Sequence, residues 1–366
     1  MIQLKSFFNF LKKEKISFFT GVPDSILKEL SIYINKSKIR HIPATNEGSA
    51  VALANGYYLS KKKIPAVYLQ NSGLGNAINP LVSVSHKKVY SIPSLLIIGW
   101  RGSPGSKDEP QHLTKGLITR NLLKLLDIKF CVLKDKKDFK KLSKLITYSK
   151  KNKKPVACLI KKGTFIKNNS LVKIKKNKDI YLKRDYFIKE LLSKVKKDTK
   201  IVSTTGYISR ELFRLSSESQ KKNNFYVVGG MGHCSSIALG YSIFSNKKVI
   251  CLDGDGSMLM HLGSLFTIGQ NSKKNLKYIL LNNNSHESVG GQETNLANIN
   301  LNKIVKELNF DDYYIIKNKK DLNLKLKFFL QSKKLSFLEV KMSSFNSNHL
   351  LGRPSKFIDI KNNFMK

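Results

Sequence analysis

The stretch Val249-Ile250-Cys251-Leu252-Asp253-Gly254-Asp255-Gly256 is an apolar run that empties into two carboxylates and two glycines. A second run, Tyr278-Ile279-Leu280-Leu281, empties into Asn282-Asn283. Between them, Ser257 to Asn271 carries Leu259, Leu262, Leu265 and Phe266 at helical intervals, so the spacing predicts strand, turn, helix, strand. Both polar clusters then fall at carboxyl ends of parallel strands, where open α/β sheets bind ligands. A right-handed crossover makes the two strands near neighbours, and Asp255 and Asn283 can converge on one point. A carboxylate and an amide oxygen suit magnesium, a hard ion that takes oxygen ligands and keeps positions for phosphates, so a diphosphate is the natural third partner. Gly254 and Gly256 let the backbone approach it closely.

The chain has 366 residues, enough for two domains of ordinary size that bury cores without disulfides or structural metals. Its 66 basic and 25 acidic residues give a net charge of +41, which raises the question of a nucleic-acid or membrane-surface partner. Only seven of the basic residues are Arg, and the lysines are scattered with Asn and Ile along the whole chain, the pattern of a compositionally biased genome. Lys61 to Lys63, Lys150-Lys151 and Lys194 to Lys200 read as solvated helix ends and loops without Arg forks or interleaved aromatics. No nucleic-acid partner is expected, and attraction of an anionic substrate is the simpler use of the field. Cys131, Cys158, Cys234 and Cys251 are far apart in sequence, lack metal-ligand spacing and read as buried thiols of a cytoplasmic protein. Residues 1–15 have no uninterrupted apolar core and are not expected to be a secretory signal. No run approaches a membrane span.

Outward from the opening stretch, strand-like runs alternate with helical patterns in both halves. In the first half these are Ala66 to Leu69, Ser94 to Ile98, Phe130 to Leu133 and Val156 to Ile160. In the second they are Ile201 to Ser203, Phe225 to Val228, Lys248 to Leu252, Lys277 to Leu281 and Phe337 to Val340. The pattern predicts an α/β protein of two doubly wound parallel-sheet domains. The Lys/Asn-rich, weakly periodic 167–182 is expected to link a domain over 1–166 to one over 183–366. A strand expected to end at His41-Ile42-Pro43-Ala44 leads through Thr45-Asn46-Glu47-Gly48 into a small-residue helix. On its own, Glu47 is a carboxylate serving a helix N-terminus.

Six motifs carry a resemblance. Thr20-Gly21-Val22-Pro23-Asp24-Ser25, Thr45-Asn46-Glu47-Gly48, Gln70 to Asn76, Asp108-Glu109-Pro110-Gln111-His112, Gly254-Asp255-Gly256-Ser257, and Asn282-Asn283 with Ser288 to Gln292 together resemble the phosphonopyruvate decarboxylases, in the thiamine diphosphate-dependent decarboxylase superfamily. Thr204-Thr205-Gly206 and Leu351-Gly352-Arg353-Pro354 extend it almost end to end. The resemblance implies a pyrimidine-binding and a diphosphate-binding domain with no middle domain. It also implies thiamine diphosphate and Mg2+ as cofactors, and a homo-oligomer, at least a dimer, with interfacial active sites. The implied reaction is non-oxidative decarboxylation of 3-phosphonopyruvate to phosphonoacetaldehyde and CO2 in phosphonate biosynthesis. Sulfopyruvate decarboxylase is the nearest alternative.

The residue roles follow from the same resemblance. Glu47 bonds the aminopyrimidine, with Ser72 and Gly73 lining its pocket. Asp24, His112 and His286 are candidates for proton transfer, although Asp24 also fits a helix cap and a loop histidine is ordinarily just exposed. Met231 props the cofactor, where a lone Met would otherwise read as core. Thr205, Gly206, His233, Ser235, Gly254, Gly256 and Ser257 lie along the diphosphate, the serines being equally ordinary capping residues. Asp255, Asn283 and the Ser285 carbonyl hold the metal, with Asn283 preferred over Asn282. Asp24, Ser25, His112 and Arg353 contact substrate, and Lys107 is a further cation for the phosphonate.

Overall fold

A computed structural model describes residues 1–166, 181–221, 223–343 and 352–366. The chain forms two compact units, Met1–Val172 with Val289–Gln292, and Lys173–Ser288 with Glu293–Lys366. Most of the linker expected over 167–182 lies outside the described residues.

The first unit holds six strands, β1 Phe18–Gly21, β2 Arg40–Pro43, β3 Ala66–Gln70, β4 Leu95–Gly99, β5 Lys129–Leu133 and β6 Val156–Ile160. All pair in parallel in the order β2-β1-β3-β4-β6-β5. The second holds β7 Lys200–Ser203, β8 Asn224–Tyr226, β9 Val249–Gly254, β10 Leu276–Asn282, β11 Asp312–Ile316 and β12 Ser336–Lys341. These pair in parallel in the order β11-β12-β10-β9-β7-β8.

Central strands read as unbroken apolar runs because helices cover both faces of each sheet. Successive side chains of a strand alternate between faces. Leu95 and Ile97 of β4 accordingly enter one core cluster, and Leu96 and Ile98 the other. In β9, Ile250 and Leu252 face one core, Val249 and Cys251 the opposite one.

Several expectations are modified. The helix expected across 257–271 is two helices, Asp255–Met260 and Ser264–Asn271. The break at 261–263 lets His261 stack on His233 at 4.6 Å, against Gly232, whose added Cβ would lie 2.2 Å from the His261 ring. The short buried strand β1 and the half-buried edge strand β11 had no strand expectation. Lys200, expected to be solvated, is buried with its Nζ 5.4 Å from the centre of the Phe364 ring. It opens a strand interior to the sheet, which carries its side chain inward. The cysteines are free thiols, as read, but Cys131 is only half-buried. Distant in sequence, they approach in two pairs, Cys131 in register with Cys158 and Cys234 Sγ 3.5 Å from Cys251 Sγ. Among the described residues, no helix is long and apolar enough to cross a membrane.

Candidate active site

Each sheet carries a polar cluster at the carboxyl ends of its strands. In the first unit β2 delivers the chain to Asn46, whose side chain accepts from Ser49 N at 2.8 Å and caps the helix Glu47–Lys61. Capping is thus done by Asn46. Glu47, 5% exposed, turns to the segment after β3, where its Oε2 accepts at 2.8 Å from Asn76 Nδ2 in the helix Leu74–Pro80. Its Oε1 sits against Gly73, where an added Cβ would stand 2.1 Å away. Glycine is therefore required at 73 to let the carboxylate lie on that backbone.

After β1, the buried Asp24 accepts through Oδ2 from Ile26 N and Leu27 N, at 3.0 and 3.1 Å. That holds the turn before the helix Lys28–Lys36, so the capping alternative is realised in part. Its other oxygen accepts from Gln70 Nε2. Burial raises the Asp24 pKa above the usual carboxylate range, against the opposing pull of Gln70, the two N–H groups and Arg101.

His112 is a helical residue, in the first turn of Pro110–Leu125, where a loop position had been expected. It is 7% exposed, with no hydrogen-bond partner at Nδ1. Burial, helped by the nearby Arg101 charge, lowers its pKa to about 4, so the imidazole is neutral at physiological pH. One turn on, the half-buried Lys115 feels the charge of Glu47. Arg101, just past β4, donates through Nε to Asp108 Oδ2 at 2.7 Å and through an NH2 group to Oδ1, and reaches Ser25 Oγ at 3.1 Å. Ser72 Oγ donates to Gln70 Oε1 at 2.7 Å, and Ser25 itself is exposed.

In the second unit a cleft of about 100 Å³ opens where β7, β9 and β10 end. Thr204, Thr205, Gly206, Met231, Gly254, Asp255, Gly256 and Ser257 line it with Asn283, Ser285, His286 and Glu287. The convergence expected of Asp255 and Asn283 is present, since the Ser285 N–H donates to Asp255 Oδ2 at 3.1 Å and to Asn283 Oδ1 at 3.0 Å. Asp255 also accepts from Thr294 Oγ1 at 2.8 Å. Burial nevertheless pushes its pKa up to about 6.

The structure separates the paired polar residues that the sequence offered. Asp253 is buried beneath the cleft, accepting from Tyr278 OH at 2.8 Å. Asn282 donates to the buried Glu339 at 2.7 Å. Asp255 and Asn283 line the cleft. His286 packs against Gly256, where an added Cβ would meet its Cε1 at 2.5 Å, and burial lowers its pKa to about 4. Ser257 Oγ accepts from Thr204 Oγ1 at 2.8 Å and from Gly232 N at 3.1 Å, tying three loops together.

Other expected residues lie apart from the cleft wall. His233 is exposed and stacked on His261, and Ser235 Oγ is 2.7 Å from Ser264 Oγ. Arg353 and Lys107 are exposed. Sequence reasoning gave no role to Asn76, Arg101 or Lys115 of the first unit, or to Arg184 and Glu287 of the second. Lys115 sits one turn from His112 on a helical face and was findable on that ground. Arg184 and Glu287 are 103 residues apart and had no local signal.

The donor set fits magnesium bound to a diphosphate. Among the described residues no cluster of three His, Cys, Asp or Glu side chains exists, whereas one carboxylate beside one amide oxygen suits a hard ion that keeps places for phosphate. The buried Ser285 Oγ has no hydrogen-bond partner among the described residues, and the β7, β9 and β10 ends offer glycines and hydroxyls for close approach.

Two family descriptions match the chain. Residues 4–122 match the N-terminal, and residues 204–340 the C-terminal, TPP-binding domain of thiamine pyrophosphate enzymes. Phosphonopyruvate decarboxylase of Streptomyces viridochromogenes is 35% identical over 293 residues, covering 75% of this chain and 72% of its own. Sulfopyruvate decarboxylase of Methanosarcina acetivorans is 26% identical over 359 residues, covering 92% of this chain and 90% of its own. Sulfopyruvate decarboxylase subunit beta of Methanocaldococcus jannaschii is 41% identical over 133 residues, 36% of this chain and 69% of its own.

Proposed function

The chain belongs to the thiamine diphosphate-dependent decarboxylases, the family of phosphonopyruvate decarboxylase, and from that premise we propose that it converts 3-phosphonopyruvate to phosphonoacetaldehyde and CO2 with Mg2+, in phosphonate biosynthesis. The observation that carries the substrate assignment is the 35% identity over 293 residues to phosphonopyruvate decarboxylase. A sulfonate substrate is the second reading, supported by the longer but weaker match to the single-chain sulfopyruvate decarboxylase.

When bound, thiamine diphosphate supplies a nucleophilic carbon and an electron sink for the pair released with CO2. Asp255, Asn283 and the Ser285 carbonyl would hold the metal, and the Thr204 to Gly206 and Gly254 to Ser257 segments the diphosphate. Glu47 would hold the aminopyrimidine through the carboxylate that Asn76 and Gly73 fix. Asp24, its proton affinity raised by burial, is suited to take up and release a proton. The neutral His112 offers a hydrogen bond to substrate without adding charge. A homo-oligomer with interfacial sites would supply both ends of each cofactor.

The test offers phosphonopyruvate, sulfopyruvate and pyruvate separately to protein loaded with thiamine diphosphate and Mg2+, and follows aldehyde through a coupled alcohol dehydrogenase. Preference for phosphonopyruvate supports the reading. Preference for sulfopyruvate keeps the chemistry and overturns the headgroup.

A further inference from the structure

A buried ion pair lines the second unit's cleft. Arg184 NH1 lies 2.9 Å from Glu287 Oε2, with the two side chains 11% and 4% exposed. The same Glu287 oxygen accepts from Asn283 Nδ2 at 3.1 Å. An ionised carboxylate only accepts hydrogen bonds, so it takes the nitrogen end of the Asn283 amide and turns the oxygen end away. That oxygen meets the Ser285 N–H at 3.0 Å, the N–H that also faces Asp255 Oδ2. Glu287 would be costly to bury alone. Arg184, at the start of the helix Arg184–Lys194 and seated 5.3 Å from the centre of the Tyr207 ring, compensates its charge.

We propose that Glu287, neutralised by Arg184, is the positioning residue that fixes Asn283 with its oxygen toward Asp255, and so sets the affinity of this unit for the divalent ion. The inference rests on the cofactor reading above. Partners behind a metal ligand orient it, and their loss typically weakens metal binding by about 10–100-fold.

The experiment titrates Mn2+ in place of Mg2+ into protein with thiamine diphosphate and no substrate, following the free-ion paramagnetic resonance signal. Glu287→Leu is expected to weaken Mn2+ by about 10–100-fold. Asn283→Asp, which ordinarily supplies a better ligand, is expected to weaken it as well, because it sets a second carboxylate against Glu287. Combining Asn283→Asp with Glu287→Gln removes the opposed charge and provides an amide N–H that donates to the new carboxylate, in place of the bond Arg184 made to the same atom. That double variant is expected to regain most of the lost affinity. A merely structural role for the ion pair gives no such rescue.

Unchanged binding in Glu287→Leu, or a double variant no better than Asn283→Asp, overturns the proposal. Wild-type protein that takes up no Mn2+ with thiamine diphosphate overturns the cofactor reading, and the proposal with it. If melting without metal shows Glu287→Leu to be unfolded, the other two variants decide alone.

Discussion

The two units build the same sheet and mount different chemistry on it. Counted within each unit, the strand order is 2-1-3-4-6-5 in both, β2-β1-β3-β4-β6-β5 in the first and, read from its other edge, β8-β7-β9-β10-β12-β11 in the second. After the third strand the first unit places Asn71-Ser72-Gly73, the second Asp255-Gly256-Ser257. After the fourth, the first places Arg101 and the second Asn283. A resident guanidinium clasped by Asp108 leaves no room for a cation, whereas a carboxylate beside an amide oxygen invites one. The first unit's distinctive carboxylate, Glu47, comes from the loop after the second strand and faces Gly73. Shared topology settles where a ligand can bind, and the loops settle what is bound.

On the proposed function, Glu47, Asp24 and His112 put proton chemistry in the first unit and Asp255 and Asn283 put anchoring in the second, a division that can be broken. Glu47→Gln is expected to cut turnover by about 10²–10⁴-fold while leaving the affinity for thiamine diphosphate with Mg2+ nearly unchanged, as read by steady-state kinetics beside a binding titration. Full activity in that variant would end the role given to Glu47. Asp255→Ala should do the reverse, weakening cofactor binding by about 100-fold or more, beyond the range seen for partners behind a ligand. Chelation of the wild-type protein should reproduce that loss, with recovery on adding Mg2+. A variant of either kind that moved both quantities equally would erase the division of labour.

Local pattern carried most of the fold because central parallel strands are apolar on both faces and stand out as runs. Asp312–Ile316 carries a short run, Tyr313 to Ile316, but lies at the sheet edge with its first four residues only half-buried, and so stood out less than the long buried runs. The site was half legible for a related reason. Asp255 and Asn283 each end a strand, so crossover geometry joins them without any knowledge of contacts. His112 lies on a helix that its preceding loop disguised, and the Arg184 to Glu287 pair joins residues that only the packed sheet brings together. Lys200 shows the limit of composition, since charge in a Lys-rich run did not forbid burial at the start of an interior strand.

The paired glycines sharpen the comparison at smaller scale. Gly73→Ala would drive a methyl to 2.1 Å from Glu47 Oε1 and 2.6 Å from its Cγ. Both belong to a side chain whose carboxylate is already pinned by Asn76. Misplacing a reacting group by about 1 Å costs up to about 100-fold in rate, so turnover should fall by roughly 10–100-fold in a protein that still melts cooperatively. Gly256→Ala meets the edge of the His286 ring at 2.5 Å, and an imidazole can rotate where a pinned carboxylate cannot. Its turnover should fall less, with the loss appearing in cofactor affinity. Equal kinetic losses from the two substitutions would mean that Glu47 is no more tightly placed than His286.

The smallest effect lies in acid and is shared by the units, since His286 of the second is pushed down to about 4 by burial like two histidines of the first. His41 and His112 of the first unit are both pushed down to about 4 by burial. An unfolded chain protonates such groups from about pH 6.5 downward, while the folded chain resists until about 4. Between those values the unfolded state binds more protons, so stability falls as pH falls through that window and is unaffected above it. His112→Gln removes one of these groups and should make the acid side of the melting curve shallower, by roughly a few degrees between pH 6.5 and 4. At pH 8 the variant should differ only by its packing loss, a constant offset. A melting profile parallel to wild type across the whole window would show that His112 takes up its proton as readily folded as unfolded, and the neutral imidazole assigned to the first unit would have to be given up.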